Sequence, residues 1–301
     1  MKALSILMSC MLLSAPLSSL EIQGHRGARG FYPENSLPGF AAAIEAGVEV
    51  LELDLHVTSD KKVVIHHDFF LNNTLCDCQE PFLKQPLCEL SLDTIQKVTC
   101  GSKSHPLFPK QQVIGAKIPS LDELLLWLHS SSLPQAKEVR LNLEIKRDPT
   151  HPTWSAELST LVKIIISTVQ RHHFSERVYY SSFDPAVLRA IRLLDSTVTL
   201  GLIFEQKSLD IARKWTEHPL EFLLQEASSI PVQILSPDYT LITGASQVQA
   251  WHEAGFKVIP WTINNKQKGL DLLHMGVDGL ISDYPQDFMN LAVDAPVDPL
   301  P

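Results

Sequence analysis

The chain has 301 residues, a formal charge of −9 at neutral pH, 45% apolar residues and 20% charged ones. This composition suits a globular protein with a large core and excludes a disordered chain. The acidic balance excludes the basic face of a nucleic-acid binder and suits an anionic membrane no better, so an anionic ligand needs positive charge supplied locally, by a metal or a few Arg and Lys side chains.

The N-terminus reads as a targeting segment. Lys2 precedes an apolar run from Ala3 to Leu13, and small residues including Ser18 and Ser19 follow. A charged start, a short apolar stretch and a small-residue cleavage zone predict a signal peptide over residues 1–19. The apolar run is too short to span a bilayer comfortably. The mature protein is therefore expected to be periplasmic or secreted, with no stable membrane insertion once the leader is removed.

Short runs rich in Val, Ile and Leu then recur along the chain: 21–25, 50–57, 140–146, 178–182, 199–204, 232–236, 257–261 and 279–282, with 63–67 a hairpin partner for the second. Helical patterns separate most of them. One runs over 36–46, and one over 120–129 opens with Ser120 and Glu123 in capping-box spacing. Others cover 154–172, a segment capped by Asp184 with Pro185 at its first turn, 245–254 and 266–275; Gly255 and Gly276 stop the last two. Repeated strand–helix units predict an α/β fold with a parallel sheet, and eight of them in this length predict a closed (β/α)8 TIM barrel over residues 20–301.

The stretch 71–117 interrupts that rhythm and reads as an insertion after the second barrel strand. It holds Cys76, Cys78, Cys88 and Cys100, an even number that predicts two disulfides in an exported protein. Cys76 and Cys78 are too close to pair with each other, so each is expected to pair with Cys88 or Cys100. The C-x-C spacing does not fit a zinc site.

Barrel active sites gather at the C-terminal ends of the strands. Here these ends carry His25-Arg26-Gly27, Glu52-Leu53-Asp54, His66-His67-Asp68 and Glu144-Ile145-Lys146. Glu52 and Asp54 are two apart in a strand, so both face the barrel interior, about 6.6 Å apart along the chain. Two buried like charges need something positive between them. A hard divalent cation meets that need, with Glu144 as a third oxygen ligand; a buried ion network with Arg26 and Lys146 is the alternative. His25 and His67 suit proton transfer near neutral pH, while His66 alternates to the other face. Arg26 offers a fork of donors to phosphate oxygens and Lys146 a point charge. Trp261, at the end of the seventh strand, either walls a cationic headgroup or packs in the core. Glu34 and Asn35 either reach the metal or phosphate or, as favoured here, cap the first helix and order its loop; Asp283, a rim ligand or a turn former, is left outside the site.

These residues carry a resemblance. His25-Arg26-Gly27, Pro33-Glu34-Asn35-Ser36, Glu52-Leu53-Asp54, Val64-Ile65-His66-His67-Asp68, Leu143-Glu144-Ile145-Lys146, Trp261-Thr262-Ile263-Asn264 and Gly276-Val277-Asp278-Gly279 resemble the glycerophosphodiester phosphodiesterase family. The resemblance covers nearly the whole mature chain. It implies a barrel enzyme that uses a divalent cation, Ca2+ or Mg2+, to cleave a small glycerophosphodiester such as glycerophosphocholine to glycerol 3-phosphate and an alcohol. By the family pattern Glu52, Asp54 and Glu144 bind the metal, His25 and His67 form the acid–base pair, and Arg26 and Lys146 hold phosphate. Two rival readings remain: a phosphodiesterase or lyase acting on intact lipid, with Phe82, Leu83, Leu87 and Phe108 as its apolar rim, and a non-catalytic ligand-binding barrel.

Overall fold

The computed structural model describes residues 20–291. The expected signal peptide, 1–19, lies outside the described residues.

Eight parallel strands carry the fold: β1 Glu21–Gly24, β2 Val50–Val57, β3 Arg140–Ile145, β4 Val178–Ser182, β5 Leu200–Phe204, β6 Ile234–Pro237, β7 Lys257–Val258 and β8 Gly279–Ser282. They lie in chain order, with β8 beside β1. Val63–Ile65 pairs antiparallel with the end of β2, as the hairpin reading expects. β7 is shorter than its apolar run because Pro260 has no N–H to give the ladder. Single backbone bonds carry the pairing onward: Trp261 N–H donates to Pro237 and Ile281 N–H to Pro260. The Pro260 bond joins the last two strands, and the barrel is nearly closed.

Side-chain alternation separates two cores. Leu51, Leu53 and Leu55 of β2 point outward into the layer beneath the helices, with Leu141, Leu143 and Ile145 of β3 beside them. Val50, Tyr179, Ile234, Ile259 and Ile281 point inward and fill the barrel's lower interior. Every residue of β2 is buried, as expected of a strand covered on both faces.

Most of the expected helices start where the sequence signals them. α1 (Leu37–Ala46) is capped by Ser36, and Gly47 ends it at φ 97°. α2 (Leu121–Ser130) carries the full capping box of Ser120 and Glu123. α3 (Leu158–Arg171) begins later than its pattern, after a 3-10 turn over Pro152–Trp154. α4 (Pro185–Leu194) is capped by Asp184. Between β5 and β6 lie two helices without a legible pattern, α5 (Gln206–Ala212) and α6 (Pro219–Ser229). Each buries only two residues, too thin a stripe to set a period. α7 (Ala245–Glu253) and α8 (Lys266–His274) are the last two helices around the barrel, and a four-residue helix, Leu92–Ile95, lies in the insertion.

The stretch 71–117 leaves the barrel rhythm as expected. Cys76–Asp77, Thr99–Cys100 and Ala116–Lys117 form a small antiparallel sheet over an apolar cluster that includes Leu87, Leu90 and Ile95. Cys76 and Cys100 are direct partners across that sheet and form a disulfide. The second disulfide is not formed. The Cys88 thiol turns to the Thr153 carbonyl at 3.4 Å, and Cys78 is free. Of the four residues of the expected apolar rim, Leu87 and Phe108 are buried, and Phe82 and Leu83 are half-buried. No helix among the described residues is long and apolar enough to cross a membrane.

The disulfide spans a sequence separation of 24. Replacing Cys76 and Cys100 together by Ser is expected to lower stability by about 3 kcal/mol, as loss of that loop constraint predicts. Urea unfolding with matched m-values is the check; an unchanged midpoint contradicts it.

Candidate active site

The first strand ends in a left-handed turn. Arg26 has φ 52° and Gly27 φ 87°. A Cβ on Gly27 would lie 2.7 Å from the Gly39 carbonyl, so the loop packs directly on the start of α1. The left-handed Arg26 aims its backbone N–H at Glu52 Oε2, 2.8 Å away. His25 N–H continues the ladder to the Ser282 carbonyl, which brings its ring beside Asp283.

Strand register assembles the carboxylates. Glu52 and Asp54 share the inner face of β2, and Asp54 is the direct neighbour of Glu144 on β3. Ligand oxygens of Glu52, Asp54 and Glu144 lie within 4.8 Å of one another, and all three residues are buried. Burial and the other two carboxylates push Glu52 well above the ordinary range. Glu144 rises as well, chiefly through burial. Asp54 goes the other way: against its burial, Arg26 and Lys146 hold it well below the usual carboxylate value.

Both the cation-site and ion-network readings of these groups have a basis here. Lys146 Nζ lies 2.6 Å from Glu144 and 3.4 Å from Asp54, and Arg26 Nε lies 3.3 Å from Asp54. That network leaves two of their buried oxygens without a hydrogen-bond partner, Asp54 Oδ1, which Lys146 approaches only as an ion pair, and Glu52 Oε1. An orphaned carboxylate oxygen beside two further carboxylates fits a hard divalent cation with oxygen ligands.

Each histidine is held by a carboxylate. His25 Nδ1 lies 2.7 Å from Asp283 Oδ1, and His67 Nδ1 lies 2.7 Å from Asp68 Oδ1. Asp283 sits at about 2 despite its burial, because His25 and Arg29 favour its charged form. An ionised Asp283 accepts the Nδ1 proton and leaves His25 Nε2 with its lone pair, 3.9 Å from Glu52. Burial lowers His25, and burial with the Lys146 charge lowers His67 to about 4, so both rings are neutral near pH 7 in the free protein.

His25, Arg26, Glu52, His67, Glu144, Lys146 and Trp261 all line one cavity of about 520 Å³ at the barrel mouth. Asp54 sits beneath it. Trp261 is fixed by Nε1–H donation to the Ser236 carbonyl at 2.9 Å and meets Phe183 edge-on at 5.6 Å. His66 is buried on the other side, as alternation requires.

Three residues were misplaced by sequence reasoning. Glu34 does not cap α1; it accepts from Arg26 at 3.0 Å and pairs with Arg29. Asn35 donates to Asp54 at 2.8 Å instead of capping. Ser36 takes the capping role from one position later, which frees both side chains for the site. Asp283 belongs to the site as the partner of His25, and Asn264 in turn donates to Asp283 at 2.6 Å. Its position directly after β8, at the mouth, was the available signal.

Comparison with known proteins decides the family. The model of the glycerophosphoryl diester phosphodiesterase family matches residues 25–287. The chain belongs to that family. It is 30% identical over 268 residues to the glycerophosphodiester phosphodiesterase of Caldanaerobacter subterraneus subsp. tengcongensis, covering 89% of this chain and 95% of that one. Among solved structures, a putative glycerophosphoryl diester phosphodiesterase from Silicibacter pomeroyi superposes with a TM-score of 0.79 at 27% identity, covering 92% and 94% of the two chains. The fold is also shared with a phosphodiesterase from Oleispira antarctica in complex with the product sn-glycerol-3-phosphate, at TM-score 0.70, 22% identity and 91% and 96% coverage.

If Asp283 fixes the His25 tautomer, Asp283→Asn lowers kcat by about 10²-fold or more with little change in KM. Steady-state kinetics with a glycerophosphodiester is the check. A normal kcat removes Asp283 from the site.

Proposed function

We propose that this protein hydrolyses small glycerophosphodiesters, glycerophosphocholine among them, to glycerol 3-phosphate and an alcohol, using Ca2+ or Mg2+. Membership of the family supports the reaction class. The observation that carries the rest is the buried group of Glu52, Asp54 and Glu144, flanked in one cavity by His25, His67, Arg26 and Lys146.

Glu52, Asp54 and Glu144 would hold the cation. When bound there, a divalent cation supplies Lewis acidity, neutralising charge on a phosphate and lowering the pKa of a hydroxyl. Arg26 and Lys146 bind the remaining phosphate oxygens and stabilise charge as it builds. His25 Nε2 takes the proton from the glycerol 2-hydroxyl while Asp283 holds Nδ1–H. The freed oxygen attacks phosphorus, and the departing alcohol takes a proton from His67. His67 is neutral in the free protein, and an anionic diester beside it favours the charged ring that this step needs. Water then opens the cyclic phosphate with the two roles exchanged. Trp261, with Phe183 beside it, offers an aromatic wall to a cationic headgroup. Export, with removal of residues 1–19, completes the reading, and the intact mass of protein recovered from an exporting host tests it.

The decisive assay follows glycerol 3-phosphate released from glycerophosphocholine. Turnover is expected to vanish in EDTA and return with Ca2+ or Mg2+. His25→Ala and His67→Ala are each expected to cost about 10²–10⁴ in kcat; near-normal turnover in both sinks the acid–base scheme. Binding of the cation has its own readout. Ca2+ or Mg2+ at 100-fold above its Kd should stabilise the folded protein by about 2.7 kcal/mol. Glu52→Gln should abolish most of that gain, and a variant that keeps the full gain would remove Glu52 from the cation site.

A further inference from the structure

A second, much smaller cavity of about 30 Å³ lies between the first βα loop and the Cys-containing insertion. Pro33, Glu34 and Ser36 line one side of it, His66 another, and Cys76, Cys100 and His105 the insertion side. A buried water needs about 10–15 Å³ and two to four polar partners. Three such partners are present. His66 Nε2, His105 Nε2 and Glu34 Oε2 are all buried and make no aligned hydrogen bond within the protein. Arg29 Nε approaches Glu34 Oε2 at 2.6 Å as an ion pair, but outside hydrogen-bond alignment.

The tautomer of His105 gives the network its direction. His105 Nδ1 accepts from the Leu107 backbone N–H at 3.1 Å, so this nitrogen carries no proton. Burial and the nearby Arg29 charge keep the ring below its ordinary pKa and hence neutral. Its single ring proton is therefore on Nε2, a buried donor with nothing to donate to. A single water held there would accept from His105 Nε2–H and donate to Glu34 Oε2 and to His66 Nε2, giving each of these atoms the partner it lacks within the protein.

Glu34 is also a site residue, because its other oxygen accepts from Arg26 NH1 at 3.0 Å. We propose that His105, supplied by the insertion, is a positioning residue that fixes Glu34 through one buried water and thereby sets the Arg26 guanidinium for phosphate. The proposal rests on the reading that Arg26 binds the phosphate of the diester. The insertion grips the same loop at three further points. Gln111 donates to the Arg29 carbonyl at 2.8 Å, Gln112 N–H donates to the Phe31 carbonyl at 2.8 Å, and Arg29 lies 4.7 Å over the Phe108 ring. The disulfide-stapled insertion thus reaches the reacting phosphate without touching it.

Two variants of the full mature protein test this. His105→Leu keeps the volume and removes the donor; His105→Gln restores an N–H donor at similar reach. His105→Leu is expected to raise both KM for glycerophosphocholine and the Kd for inorganic phosphate, measured by titration calorimetry, by about tenfold, with kcat changed far less. His105→Gln should recover most of that loss. Equal loss in both variants, or unchanged phosphate affinity in His105→Leu, overturns the proposal. A high-resolution crystal structure should also show one water among His66, His105 and Glu34, and an empty cavity overturns the bridge. Phosphate binding is read apart from turnover, so a wild-type protein that cleaves no glycerophosphodiester would refute the proposed function, and the comparison of variants would still judge the role of His105.

Discussion

Three carboxylates crowded into the mouth of a barrel set the terms for everything around them. Oxygens of Glu52, Asp54 and Glu144 stand within 4.8 Å of one another in buried positions. Left alone, that arrangement is strongly unfavourable, since each charge loses hydration and repels the other two. The surrounding residues answer it in part. Arg26 and Lys146 neutralise Asp54, Lys146 also holds Glu144, and the Arg26 backbone N–H and Asn35 amide fill further oxygens. Glu52 Oε1 stays unanswered. The site is therefore built short of one positive group, and that shortage is what suits it to a divalent cation.

The scaffold around this group is stiff for a reason visible in its layers. β2 is buried along its whole length, with leucines on the outer face and Val50, Glu52 and Asp54 on the inner one. A slip of one residue in its register would send the carboxylates into the leucine layer, at a large cost in burial and charge. Hydrophobic packing thus fixes the register, and register fixes the site. Below the carboxylates a polar ladder crosses three strands. Asn142 donates to Gln23, Gln23 donates to Tyr179, and Ser181 donates to Asn142. These bonds satisfy buried polar groups and tie β1, β3 and β4 together directly beneath the reacting centre.

The two histidines show how one residue type is held by different surroundings. His25 is buried and answers to Asp283, itself held by Asn264; His67 is half-buried and answers to Asp68 in the next position of the chain. In both, a carboxylate on Nδ1 leaves Nε2 as the free nitrogen. The difference in exposure leaves His67 the more open to solvent, while His25 stays close to the carboxylates.

Much of this was legible in the sequence because it depends on local periodicity. Alternation along residues 50–57 alone puts Glu52 and Asp54 on one face, and eight strand–helix repeats call for a closed barrel in which strand ends converge. His66 and His67 could be told apart on the same ground. What tertiary structure alone decided were partnerships between distant segments: Asp283 with His25 across the β1–β8 seam, Asn35 with Asp54, and Glu34 with Arg26 and Arg29. So too was the cysteine pairing, because Cys76 and Cys100 become neighbours only through strand register while Cys88 is drawn toward Thr153. Periodicity fixes the face a side chain points from; which group it meets depends on how loops of unpatterned sequence close over the barrel, and no spacing rule encodes that.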